Sequence, residues 1–103
     1  MPKVKICDIQ PEMRNIEVTG RIIKIGERRQ VQTRFGPADV ATATLKDETG
    51  SINVSLWRQQ IDMVKEGDNV KLIDAFARTF GGKPTLNIGK DGQIIIQKEQ
   101  TNT

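Results

Sequence analysis

Residues 40–57 read VATATLKDETGSINVSLW, which is the pattern of two β-strands joined by a tight turn. Along Val40–Lys46, small apolar residues alternate with threonines. The second strand has two unlike faces, one with Ile52, Val54 and Leu56 and the other with Asn53, Ser55 and Trp57. Because the aliphatic face must be the buried one, we expect the single tryptophan of the chain to lie on the polar, solvated face of a sheet.

The chain before this hairpin predicts one long strand and one loop. The β-rich run from Ile16 to Ile25 changes its alternation after Ile22, which predicts a bulge or a sharp bend in the first strand. Residues 30–38 are polar and contain Gly36-Pro37, and they predict a long loop, in which Phe35 near the tip is either an anchor, the reading we favour slightly, or an extra contact to a base.

The chain after the hairpin continues with short elements separated by turns. We predict a short helix in Arg58–Lys65, a strand at Asn69–Ala75, a loop at Gly81–Pro84, a strand through Leu86 and Ile88, and a turn at Asp91-Gly92 before Ile94–Ile96. The order of elements is that of an all-β, five-stranded Greek-key OB-fold barrel with a short helix between strands 3 and 4. We expect residues 1–103 to form one domain, with its core in residues 4–97 and a polar tail in residues 98–103.

The composition excludes several classes of function. The chain has no histidine and one cysteine, Cys7, so it can form neither an internal disulfide nor a zinc site built from clustered cysteines. It has no P-loop or G-x-S-x-G motif, and we expect no enzyme activity, no metal and no cofactor. No apolar run reaches the roughly 20 residues of a membrane span, so we expect a cytoplasmic protein, or a nuclear one in a eukaryote.

The charge is unevenly distributed along the chain. Residues 20–38 contain five basic side chains and one acidic, and residues 75–90 contain three basic and no acidic. Residues 39–74, between them, contain four basic and seven acidic side chains. The two basic segments coincide with the loops that flank the binding face of an OB-fold, which favours a polyanionic ligand.

Two phenylalanines strengthen the prediction of a nucleic-acid surface. Phe76 and Phe80 are four residues apart, in a stretch that also carries Arg78. In an unbroken strand Phe76 would share the buried face with Leu72, but Asp74 lies between them and shares that parity, so we expect a bulge or an end of the barrel near Asp74, and an exposed ring. Flat rings on a solvated sheet beside cations suit stacking on bases.

The hairpin also resembles that of archaeal single-stranded-DNA-binding proteins and their replication protein A-like relatives. The matching residues are Asp47–Ile52, Ser55–Trp57, Lys65–Gly67, Ala75-Phe76, Phe80 and Thr85–Asn87, in that order. The resemblance implies an OB-fold that stacks bases on Trp57, Phe76 and Phe80.

We therefore predict non-enzymatic binding of single-stranded DNA with little sequence specificity, in replication, repair or recombination. The predicted nucleic-acid-binding residues are Trp57, Phe76, Phe80, Arg28, Arg29, Arg34, Arg78, Lys83, Arg21, Lys24, Thr44, Ser55 and Asn87. Two alternatives remain open at this point: single-stranded RNA as the ligand, or an OB domain used for protein association in a replication assembly. We expect the protein to be a monomer and to bind replication or repair proteins.

Overall fold

The computed structural model describes residues 3–97, with only the backbone described for Phe80, Lys90 and Asp91. Its elements are a 3-10 helix at Ile6–Asp8, β1 at Ile16–Ile25, β2 at Arg29–Thr33, β3 at Gly36–Asp47, β4 at Gly50–Trp57, α1 at Gln60–Met63, β5 at Asn69–Phe80 and β6 at Lys83–Gln97. The polar tail predicted at residues 98–103 lies outside the described residues.

The strands form one sheet that closes into a barrel. The order across the sheet is β1-β5-β6-β4-β3-β2, and an additional pairing of β1 with β3 closes a ring of five strands. Only β2 stands outside that ring, paired to β3 alone. The helix α1 follows the third strand of the ring, so the predicted OB-fold barrel is confirmed.

The core fills the interior of the barrel and both of its ends. The largest fully buried side chains are Ile16, Ile22, Leu45, Leu56, Leu72, Leu86, Val18, Val54 and Val70. Ile6 and Ile9 complete this core from the N-terminal segment, and Ile61 and Val64 complete it from around α1. The aliphatic face of β4 is therefore buried, as the hairpin pattern predicts.

The bend predicted in β1 is present and has a steric basis. The register between β1 and β3 shifts between Ile22 and Lys24, where the strand passes from one part of the barrel to the next. A Cβ added at Gly20 would lie 2.8 Å from the carbonyl oxygen of Lys46 and 2.9 Å from Cγ of Leu45. Only glycine allows β1 to cross β3 this closely.

The turn between β3 and β4 is held by Asp47. Its Oδ1 accepts hydrogen bonds from the Thr49 hydroxyl at 2.6 Å, the Thr49 N–H at 2.7 Å and the Gly50 N–H at 3.2 Å. Its Oδ2 accepts from the Ile6 N–H at 2.9 Å. The Asp-Glu-Thr-Gly motif therefore has a structural role: it shapes the turn and attaches the N-terminal segment to the barrel.

The loop predicted at residues 30–38 is wrong, because the chain forms a hairpin there. Strand β2 pairs with the first part of β3, and the turn between them is only Arg34-Phe35. The hydroxyl of Thr33 accepts from the Phe35 N–H at 3.1 Å and donates to the Gly36 carbonyl at 2.6 Å. Phe35 is 84% exposed, so it does not anchor this segment, and its other predicted role, an extra contact to a base, stays a prediction. The sequence pattern does not indicate strands here, because only one face of the β2–β3 hairpin is covered by the protein and most of its residues can therefore be polar.

The second half of the barrel has longer strands than predicted. Strand β5 extends to Phe80, and β6 begins at Lys83, so the second loop is reduced to Gly81-Gly82. The turn predicted at Asp91-Gly92 is wrong: β6 continues, and the register jumps from Ala75–Ile88 to Ile73–Gln93. Residues 89–92 therefore bulge opposite the single residue Asp74. The helix predicted at Arg58–Lys65 is a single turn.

Candidate nucleic-acid interface

Three rows of paired residues cross the outer face of the barrel. The first joins Arg29, Val40 and Trp57, the second Thr42, Ser55, Asn87 and Phe76, and the third Lys24, Thr44, Asn53, Thr85 and Arg78. Paired residues on neighbouring strands point to the same side of a sheet. Aromatic, polar and basic side chains predicted separately along the chain therefore share one surface.

Trp57 is fixed at the end of β4 by contacts of its own backbone. The Trp57 N–H donates to Oε1 of Gln60 at 3.0 Å, and Nε2 of Gln60 donates to the Ile88 carbonyl at 3.3 Å. Arg58 then adopts a positive φ of 56° and turns the chain away from the sheet. The ring of Trp57 is half-buried, which leaves part of its surface open to a ligand.

The ring of Trp57 lines a groove of about 300 Å³, which we call the central groove. Its lining residues are Arg29, Val31, Val40, Thr42, Asn53, Ser55, Trp57, Arg78, Thr79, Thr85 and Asn87. Strand β2 forms one wall and the end of β5 the other, with β3, β4 and β6 as the floor. The groove combines an aromatic ring, polar groups on its floor and a guanidinium group on each wall.

Phe76 reaches the outer face because of a bulge at Asp74, as predicted. Asp74 has a positive φ of 58°, and the pairing of β5 with β6 shifts between Ile73 and Ala75. Ala75 and Ala77 are buried while Phe76 between them is half-buried on the other side. Without this inserted residue Phe76 would point into the core with Leu72.

A second groove, of about 330 Å³, lies beside Phe76, and we call it the lateral groove. Its lining residues are Arg14, Asn15, Asp74, Ala75, Phe76, Arg78, Gly89 and Gly92. The guanidinium carbon of Arg78 lies 5.5 Å from the centroid of the Phe76 ring, within the range of a cation–π contact. Arg78 lines both grooves, so they are neighbours on one surface.

The predicted cations around β2 differ in their surroundings. Arg29 lines the central groove. Arg28 instead donates to Oδ1 of Asp62 at 2.7 Å and lies 3.9 Å from Oδ2 of Asp39. Arg34 is exposed at the tip of the β2–β3 hairpin and lines neither groove. Of these three arginines, Arg29 is the one that lines a groove together with an aromatic ring, that of Trp57.

The remaining predicted residues extend the surface or lie at its margin. Lys83 lines a cleft with Ser51 and Asn53, and Asn53 also lines the central groove. Lys24 is exposed next to Thr44 in the third row, whereas Arg21 pairs with Lys46 one row further out. The side chain of Phe80 lies outside the described residues, so its predicted role stays a prediction.

Sequence patterns did not identify several residues of these grooves. Val31 and Val40 belong to the wall and floor beside Trp57, although Val40 was expected only as part of a strand. Arg14 and Asn15 precede β1, and no local pattern links them to Phe76. Two backbone hydrogen bonds with Ala77 hold this segment in place, from the Glu12 N–H at 2.9 Å and to the Met13 carbonyl at 2.8 Å.

Two kinds of feature are not found in the described part of the chain. Neither helix in residues 3–97 is long and apolar enough to cross a membrane. Within the same residues, no three or more His, Cys, Asp or Glu side chains are grouped so that they could hold a metal ion.

Comparison with known proteins places the chain among single-strand-binding OB-folds. Residues 9–96 match the protein family described as "Single-stranded DNA binding protein Ssb-like, OB fold". The chain is 34% identical over 95 residues to the single-stranded DNA binding protein Ssb of Saccharolobus solfataricus, covering 92% of this chain and 64% of that protein. It is 35% identical over 102 residues to a replication factor A of Methanothermobacter thermautotrophicus, covering 93% of this chain and 13% of that protein.

The chain thus spans less than two thirds of either relative. Among solved structures, an OB domain from Thermoplasma acidophilum superposes with a TM-score of 0.83 at 22% identity, covering 98% of this chain and 92% of that one. That similarity shows the shared fold.

Proposed function

Because the chain belongs to the Ssb-like family of OB-fold single-stranded-DNA-binding proteins, we propose that it binds single-stranded DNA and catalyses no reaction on it. The observation that carries the proposal is the placement of Trp57 and Phe76 on the outer face of the barrel, within two grooves that share Arg78. Bases stacked on these rings would bury apolar surface that the protein alone leaves partly open.

The spacing of the two rings indicates that they take different bases. Trp57 lies on β4 in the first row and Phe76 on β5 in the second, with β6 between the two strands. From the spacing of strands and of residues along them, their Cα atoms are about 12 Å apart. Two rings at this separation, on different strands and in different rows, can stack on successive bases of a strand that runs across the sheet.

The phosphates of that strand would lie along the cations at the edges of the grooves. Arg29 and Arg78 stand on opposite walls of the central groove, and Lys83 lies beyond Asn53. Release of counterions from these phosphates would supply much of the affinity. Because stacking and phosphate contacts accept any base, the preference for sequence over the whole site would be weak.

We propose that this binding serves DNA replication, which the name of the replication factor A relative suggests, or repair or recombination, which also pass through single-stranded DNA. We also propose that the protein is a monomer and that it contacts replication or repair proteins. Binding of single-stranded RNA or of a protein by the exposed rings is the competing outcome, and the experiments below separate these ligands.

The proposal is tested by the affinity of Trp57→Ala for a fluorescein-labelled oligo(dT) of about 16 nucleotides, the upper site size of one OB-fold. Loss of one base stack should weaken binding by about 1–3 kcal/mol, measured by fluorescence anisotropy. Met63→Ala is the matched control, because Met63 is an exposed apolar residue that lines neither groove. Equal affinity of Trp57→Ala and wild type would reject stacking on this ring.

A further inference from the structure

The lateral groove contains an acidic residue where a phosphate-binding surface should have none. Asp74 lines it together with Phe76 and two arginines, Arg14 and Arg78. A carboxylate repels a neighbouring phosphate, so we expect the phosphates of a bound strand to lie on the arginine side of this groove and a base to lie next to Asp74. The groups of single-stranded DNA that a carboxylate can bind are the N–H donors on the edges of the bases.

Among the residues that the structure describes, the carboxylate of Asp74 has no hydrogen-bond or ion-pair partner. Although Arg14 and Arg78 line the same groove, neither guanidinium group lies within the 4.0 Å of an ion pair with Asp74, and no described side chain or backbone group donates to it. Asp62 and Asp39, in contrast, are each paired with Arg28.

The position of Asp74 is coupled to that of the stacking ring. The bulge that gives Asp74 its positive φ is the same distortion that puts Phe76 on the outer face, two residues later. The segment that carries Arg14 and Asn15 on the other side of the lateral groove is also fixed, since the backbones of Glu12 and Met13 are hydrogen-bonded to Ala77. A base stacked on Phe76 would thus meet Asp74 along its edge.

Among the bases, guanine matches this acceptor best. Its Watson–Crick edge carries two adjacent donors, N1–H and the 2-amino group, which a carboxylate can bind with both oxygens. Cytosine and adenine each place a ring acceptor next to their amino group, and that acceptor would repel the carboxylate.

We infer that the lateral groove is a guanine-binding subsite, in which guanine stacks on Phe76 and donates two hydrogen bonds to Asp74. This inference rests on the proposed binding of single-stranded DNA. It adds one position of base preference to a surface that is otherwise indifferent to sequence.

The test compares two oligo(dT) strands, one with a single central deoxyguanosine and one with deoxyinosine, which differs only by lacking the 2-amino group. Wild-type protein should bind the deoxyguanosine strand about tenfold more tightly, the low end for a bidentate contact to a base. Asp74→Asn should reduce this ratio to less than threefold. Asparagine tolerates the positive φ at this position, so the variant should keep the bulge. Asp74→Gly, which also tolerates that φ, should abolish the ratio.

Equal affinities of the wild type for the two strands, or an unchanged ratio in both variants, would overturn the guanine subsite. If both strands nevertheless bind and Phe76→Ala weakens both, the proposed single-strand binding stands without the subsite. If neither strand binds, both proposals are rejected. Asp74→Asn also removes a negative charge, which strengthens the binding of both strands alike, and for this reason the ratio of the two affinities is the deciding quantity.

Discussion

Arg28 and Arg29 are adjacent in the sequence but should contribute differently to DNA binding. Arg29 lines the central groove opposite Arg78, whereas Arg28 is directed to Asp62 and Asp39. A phosphate near Arg29 would meet a cation that has no ion-pair partner in the described part of the chain. A phosphate near Arg28 would have to compete with two carboxylates that already hold it.

The expected size of the effect follows from counterion release. Each phosphate contact on a single strand contributes about 0.7 to the slope of log affinity against log salt. Between 50 and 200 mM salt, the affinity of wild type should fall by a factor about 2.6 times larger than the factor by which the affinity of Arg29→Ala falls, because the slope of the variant is smaller by about 0.7. Arg28→Ala should keep nearly the wild-type slope.

The assay is a series of anisotropy titrations of oligo(dT) at four salt concentrations with wild type, Arg28→Ala and Arg29→Ala. The ion pairs of Arg28 are exposed, and such pairs contribute about 0–1 kcal/mol, so both variants should stay folded and their thermal melts provide the control. Equal reductions of the slope in the two variants would show that Arg28 leaves Asp62 for phosphate. No reduction in Arg29→Ala would mean that the strand runs elsewhere on the barrel.

Three further substitutions test the packing of the site and its scaffold. Phe76→Ala should weaken DNA binding by about 1–3 kcal/mol while destabilising the fold by less than the roughly 3–5 kcal/mol of a core phenylalanine; an unfolded variant would place Phe76 in the core. Burial raises the pKa of Asp47, but hydrogen bonds from the Thr49 side chain and from three backbone N–H groups outweigh this and hold the pKa below its usual value. The stability that wild type has over Asp47→Asn should therefore be complete above about pH 4 and decrease as the pH falls through the lowered pKa, in denaturant titrations at several pH values; a difference that does not vary with pH would contradict this role. Gly20→Ala should cost about 1–3 kcal/mol of unfolding free energy because its Cβ would meet the backbone of β3 at 2.8 Å, and an unchanged melting temperature would show that β1 can move away.

The fold could be predicted from the sequence because each strand of the barrel has one aliphatic face. Ile52, Val54 and Leu56 define the core side of β4, and the change of phase after Ile22 reports the bend in β1. The hairpin at residues 29–38 has no such signal: its covered face offers only Val31 and Ala38 among polar residues. The continuity of β6 through Gly92 was hidden because glycines there permit a bulge as well as a turn.

The candidate site was predicted in part for the same reason. Alternation puts Trp57 on the polar face of β4, although taken alone it leaves open a ring that caps one end of the barrel, and the parity conflict around Asp74 indicates a bulge or a barrel end, of which the structure has the bulge. Local patterns cannot show which cations already have partners, and so Arg28 and Arg29 look alike in the sequence. They also cannot bring Arg14 next to Phe76, because that proximity depends on backbone hydrogen bonds to a strand some sixty residues later.

The central claim is that bases of a single strand stack on Trp57, the only tryptophan of the chain. Its fluorescence can be followed while the protein is titrated with single-stranded DNA, single-stranded RNA and duplex DNA of equal length. We predict strong quenching by single-stranded DNA and almost no quenching by duplex, whose bases already stack on one another, and the RNA titration shows whether the surface distinguishes the two kinds of single strand. Tighter binding of RNA than of DNA would make RNA the ligand, and equal quenching by duplex, or none by any nucleic acid, would contradict stacking on Trp57 and favour a protein ligand for this surface.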